Sequence, residues 1–129
     1  MFDHNMSFRI AHALQELFGD AHTIQALSDK FPRNTSDIAW ITGLSDEGRW
    51  IIVSGDRRIT RNHAEYNAFR SSRLIGFFLS RGLGKAPVIK QTERLLALWS
   101  GIEALSNTVA PGAMFELPMR SSRIDQLRL

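Results

Sequence analysis

At 129 residues, 43% of them hydrophobic and 22% charged, the chain is long enough to bury one core and too short for two domains. It contains no cysteine, which excludes disulfides, thiolate metal sites and cysteine nucleophiles, so any metal must be held by oxygen or imidazole. The net charge of +3 is unevenly spread: Arg49 to Arg94 carries ten Lys and Arg against Asp56, Glu65 and Glu93, whereas Met1 to Gly48 carries more acids than bases. A polyanionic partner such as nucleic acid fits that segregation, and so does a solvated basic face.

In chain order, Ser7 is a suitable N-cap for a helix running to about Phe18, with Ile10, Ala11, Leu14, Leu17 and Phe18 on one face and Gly19 ending it. His22 to Leu27 reads as a short strand, followed by a polar loop broken at Pro32. Ser36 caps a second helix with Asp37 in its first turn, a buried stripe of Ile38, Trp40, Ile41 and Leu44, and a stop at Asp46 to Gly48. Arg49 to Ser54 is a nearly continuous apolar run, as in a parallel strand covered on both faces. The following GDRRITRN reads as a loop, His63 to Ser72 as a helix and Leu74 to Leu79 as a second buried strand. RGLGKAP is a turn-rich connection, Val88 to about Leu105 the longest helix, and AMFEL a last strand ahead of an unassigned tail. Trp40, Trp50 and Trp99 lie in apolar patterns and read as core. No apolar run reaches the length of a membrane span and no secretory signal is visible, so a cytoplasmic location is expected.

Strands alternating with helices imply a single α/β domain with a mainly parallel sheet, whose ligands bind beyond the carboxyl ends of the strands. That rule gives three acids a common place. Asp56 follows the central apolar strand by two residues, Asp3 falls at the same edge if Met1 and Phe2 form a strand, and Asp37 opens a helix that can point into the same cleft. Converging carboxylates repel and raise one another's pKa, which a hard divalent cation offsets. Mg²⁺ or Mn²⁺ suits such oxygen ligands and supports phosphodiester cleavage. Each acid also has a structural reading: Asp37 complements a helix dipole, and Asp56 is a turn residue. The four histidines show no ligand spacing, no G-x-S-x-G elbow is present, and GLGK lacks the full phosphate-loop pattern and reads as a turn. Arg57, Arg58 and Arg61 follow Asp56 closely and are suited to holding a phosphate backbone.

FDHN at the start, SDIAWI and WIIVSGDRRITRNHAEYNAF together resemble the compact PIN-like domain of VapC-type toxins over about residues 1–80. The resemblance implies a three-layer α/β/α sandwich, Mg²⁺ or Mn²⁺ in an acidic pocket, and RNA phosphodiester hydrolysis. It implies Asp3, Asp37 and Asp56 as catalytic metal ligands. Glu65 is the candidate for a fourth ligand, with Asp46 in reserve. Asn5 is expected to orient a water or a carboxylate, and Arg57, Arg58 and Arg61 to bind RNA. A cognate antitoxin and a homodimer are the expected partners. Only two residues precede Asp3, a strand with little hydrogen bonding to fix it. Two other functions remain open from the residues: a PIN-like binding protein without turnover, and a phosphatase-like domain with Asp56 as nucleophile, which lacks the paired D-x-D motif.

Overall fold

A computed structural model describes residues 1–128. Helix α1 (Phe8–Phe18) starts where the Ser7 hydroxyl accepts from Arg9 N at 3.2 Å and ends at Gly19, whose N–H reaches Gln15 O. Helix α2 (Asp37–Glu47) starts where Ser36 Oγ accepts from Ala39 N at 3.1 Å. Each hydroxyl satisfies a first-turn amide that has no partner within its helix. The apolar runs become β1 (Ile51–Ser54) and β2 (Ile75–Leu79), every residue of β2 being buried. The one-turn helix α3 (Arg58–Arg61) and α4 (His63–Arg70) lie between them. After β2 come the one-turn helix α5 (Arg81–Gly84), the long α6 (Val88–Thr108), β3 (Met114–Leu117) and β4 (Asp125–Gln126).

The sheet order is β1-β2-β3-β4, parallel except for the β3–β4 pair. Phe2 extends it beyond β1 by parallel bridges to Val53 on one side and Ala26 on the other. Asp3 N donates to Val53 O, Val53 N to Met1 O, Phe2 N to Gln25 O and Leu27 N to Phe2 O, all within 2.9 Å. The segment from Met1 to Asp3 is thus paired along both edges, and Asp3 is fixed more firmly than so short a strand suggests.

Side chains alternate across the sheet. Ile75, Phe77 and Leu79 pack with Phe115 under α1 and α6, whereas Phe78 packs with Trp40, Ile41, Leu44, Ile59 and Phe69 under α2, α3 and α4. Helices on both faces make the three-layer α/β/α sandwich.

Several local expectations are corrected. The strand expected at His22–Leu27 is one bridge at Ala26, because its pairing lasts only as long as Phe2 does; a 3₁₀ turn over Leu27–Asp29 follows. The expected loop after Asp56 contains α3, and RGLGKAP contains α5, capped by Ser80. Ile38 is 43% exposed because it lies about 200° around the helix from Trp40, and Leu17 is 62% exposed because the buried stripe of α1 stops at Leu14. Trp50 is only half-buried, with its Nε1 donating to Glu47.

Gly76 sits at a tight point of the core, against two aromatic rings. A Cβ there would lie 2.6 Å from the Phe78 ring and 2.9 Å from that of Phe69, both fully buried. Gly76→Ala should therefore cost about 1–3 kcal/mol by overpacking, read as a lower urea midpoint. An unchanged midpoint would show that the two rings repack freely.

Candidate metal centre and adjoining cleft

Asp3 ends the first strand and is 3% exposed. Its Oδ1 accepts from His4 N at 2.6 Å, and its Oδ2 from the hydroxyl of Ser54, the last residue of β1, at 3.0 Å. Ser54 Oγ also lies near Asn5 Oδ1 and the Asp56 carbonyl, but it has one proton, and the carboxylate is the closest and only charged acceptor. Asn5 Nδ2 donates to Ser54 Oγ at 3.1 Å while its Oδ1 accepts from Gly55 N at 2.8 Å. Asn5 thus orients Ser54, and Ser54 orients Asp3. Burial, followed in effect by the negative charge of Asp37, pushes the Asp3 carboxyl above its ordinary range against the lowering effect of these hydrogen bonds.

Asp37 enters from the start of α2. Its Oδ1 accepts from Trp40 Nε1 at 2.9 Å, and Arg58 Nη2 reaches both oxygens, at 3.1 and 2.9 Å. Glu65, in the first turn of α4, stands beside it. Burial first, then the Asp37 charge, pushes the Glu65 carboxyl up, and its buried Oε2 has no hydrogen-bond partner among the described residues. The structure therefore brings Asp3, Asp37, Glu65 and Arg58 into one electrostatic neighbourhood. Asp46 is excluded from it: nine residues along α2 separate it from Asp37 by about 14 Å, and its carbonyl receives Arg73 Nη2 instead.

Asp56 does not join that group. Its exposed carboxylate closes the turn into α3 by accepting from Arg58 N at 2.8 Å, while its carbonyl lies 3.2 Å from Ser54 Oγ. One serine thus separates Asp56 from Asp3. Asp56 faces a cleft of about 920 Å³ that it lines with Asn5, Arg57, Arg61, Arg81, Lys85 and Glu116, among others. Of the three arginines that follow Asp56, Arg57 and Arg61 line this cleft, with Arg57 3.5 Å from Glu116, whereas Arg58 pairs with Asp37. Arg81 and Lys85 join the cleft without a motif to announce them. They belong to the RGLGK stretch, and the one signal in the sequence is their place just after the second buried strand. His4 belongs to no ligand spacing in the sequence, yet both its ring nitrogens are buried without a partner among the described residues.

The donor chemistry fits a hard divalent cation: carboxylate oxygens from three segments, one of them unpartnered. Among the described residues no group of three His, Cys, Asp or Glu is arranged to hold a metal as it stands. A second cavity, of about 480 Å³, lies at the opposite ends of the strands and is lined mainly by apolar residues such as Phe2, Ile24, Trp50 and Trp99. No helix among the described residues is long and apolar enough to cross a membrane.

No curated protein and no solved structure matches the chain. A family model described as a PIN-like domain matches residues 1–81, a span that contains Asp3, Asp37, Asp56 and Glu65 together with β1 and β2. With well over half of its length matched and a parallel α/β/α sandwich around these acids, the chain belongs to the PIN-like domain family, whose members are generally nucleases.

Proposed function

We propose that the chain is a divalent-metal-dependent endoribonuclease of VapC type, the toxin of a toxin–antitoxin pair. The observation that carries this reading is the meeting of two unlike surfaces: the buried carboxyl of Asp3 with the half-buried Asp37 and Glu65 beside it, and a cationic cleft one serine away. Asp3, Asp37 and Glu65 are the proposed metal-side carboxylates, with Asp56 between them and the RNA. A bound Mg²⁺ or Mn²⁺ supplies a Lewis acid and lowers the pKa of an attacking water. The protein's part is to fix Asp3 through Ser54 and Asn5, to fix Asp37 through Trp40, and to hold the RNA backbone on Arg57, Arg61, Arg81 and Lys85. The antitoxin, the homodimer and a cytoplasmic setting belong to this proposal through the resemblance to VapC-type toxins alone.

Asp56→Asn tests the assignment without disturbing the fold, because the Asn side-chain oxygen can accept from Arg58 N two residues on as Asp does. Cleavage of single-stranded RNA should fall about 10- to 100-fold, as for a group that supports a metal site, with an unchanged melting midpoint. Retained cleavage would remove Asp56 from the active site. The alternative of a binding protein without turnover draws on the Arg58–Asp37 pair, which leaves Asp37 already neutralised. RNA that binds in Mn²⁺ yet stays intact would favour it.

A further inference from the structure

We propose that Arg58 is a built-in counter-ion that holds the place of the divalent cation at Asp37 and must leave for the metal to bind. This rests on the metal-site reading above and adds to it a competition within the chain.

The geometry shows a side chain with a fixed base and a free end. Arg58 N is held by Asp56 Oδ1 at 2.8 Å at the start of α3, while its side chain is 58% exposed. The guanidinium nevertheless reaches in to both oxygens of Asp37, whose side chain is only 11% exposed. Trp40 Nε1 holds Asp37 independently, so the carboxylate keeps its position when the guanidinium departs. One positive charge serves the three carboxyls of Asp3, Asp37 and Glu65, and Glu65 Oε2 still has no donor among the described residues. Arg58 thus offsets part of the charge and leaves one acceptor unsatisfied. A divalent cation offers twice the charge and takes oxygens from several directions, and it cannot share Asp37 with a guanidinium lying across both oxygens. Once released, Arg58 stands one helical turn from Arg61, which lines the cleft. Metal binding thereby frees a cation on the side where a phosphate would lie.

The sign of the effect separates this role from a merely structural one. A residue that supports the site weakens metal binding when it is removed, whereas a competitor strengthens it. Titration calorimetry of the full chain with Mn²⁺ should show Arg58→Gln binding about three- to tenfold more tightly than wild type, as expected for loss of a partly exposed ion pair and of one nearby positive charge. Arg58→Lys should fall between the two, because lysine keeps the positive charge while its shorter, more strongly hydrated ammonium holds Asp37 less well. Melting in EDTA reports whether each variant is folded. Equal or weaker Mn²⁺ binding by folded Arg58→Gln, with wild type binding, would overturn the counter-ion role and leave the metal site standing. Absence of Mn²⁺ binding by all three proteins at millimolar concentration would overturn both.

Discussion

Asp3→Asn should lower RNA cleavage by about a hundredfold or more, beyond the 10- to 100-fold typical of losing a group that only supports a metal site, while raising the melting midpoint of the metal-free protein. The two effects have one cause. Asp3 is almost fully buried, and its carboxyl is pushed up by desolvation and then by Asp37. A carboxyl whose pKa is raised on folding favours the fold fully below its unfolded value, and that contribution is lost as pH rises through the folded value. Wherever Asp3 is ionised it is therefore a cost to the metal-free fold, one that the proposed cation would offset. Asparagine keeps the shape, with its oxygen accepting from His4 N and its amide donating to Ser54 Oγ, whose proton can turn to the Asp56 carbonyl; removing the charge then gains about 0.5–2 kcal/mol, typical of relieving an active-site residue. Melting in EDTA from pH 7.5 downward checks the sign: the variant's advantage should shrink with falling pH and vanish below the ordinary carboxylate range. A variant less stable than wild type at every pH would mean that the hydrogen bonds from His4 and Ser54 outweigh burial.

Neutralising Arg57, Arg61, Arg81 and Lys85 together should weaken binding of single-stranded RNA about a hundredfold at 50 mM salt and flatten its salt dependence. Each phosphate neutralised on a single strand contributes about 0.7 to the slope of log K against log salt, so removing four cations lowers it by about 2–3. The lower part of that range allows for Arg57, which Glu116 already partly offsets at 3.5 Å. The side chains line an open cleft rather than the core, so the melting midpoint should move little. Binding in EDTA separates affinity from turnover. An unchanged salt slope would place the RNA on another surface.

What can be read from the chain alone follows from how local each signal is. Ser7 and Ser36 reveal their helices because a cap is settled within three residues, and the runs before Ser54 and Leu79 reveal their strands because burial on both faces leaves little room for polar residues. Topology is enough to place Asp3 and Asp37 at one edge; it places Asp56 there as well, whereas in the fold Asp56 turns into the cleft beyond Ser54, and Glu65 enters only through the resemblance. Topology does not tell the acids apart, since desolvation depends on what covers each group. Met1 and Phe2 look too short for a strand until the segment around Ala26 arrives on the far edge. The Arg58–Asp37 pair spans 21 positions and exists only because α2 and α3 meet on one face of the sheet. RGLGK reads as a turn because GLGK alone carries no phosphate-loop pattern; its cations matter through the cleft they share with Arg57 and Arg61.

The most direct measurement is the cleavage of a single-stranded RNA by the purified chain in Mn²⁺, with and without excess EDTA, alongside Asp37→Asn. Cleavage in Mn²⁺ that is abolished both by EDTA and by the substitution is the predicted result. Cleavage that survives EDTA, or that is as fast with Asn at position 37, would contradict a metal-dependent site built on these carboxylates.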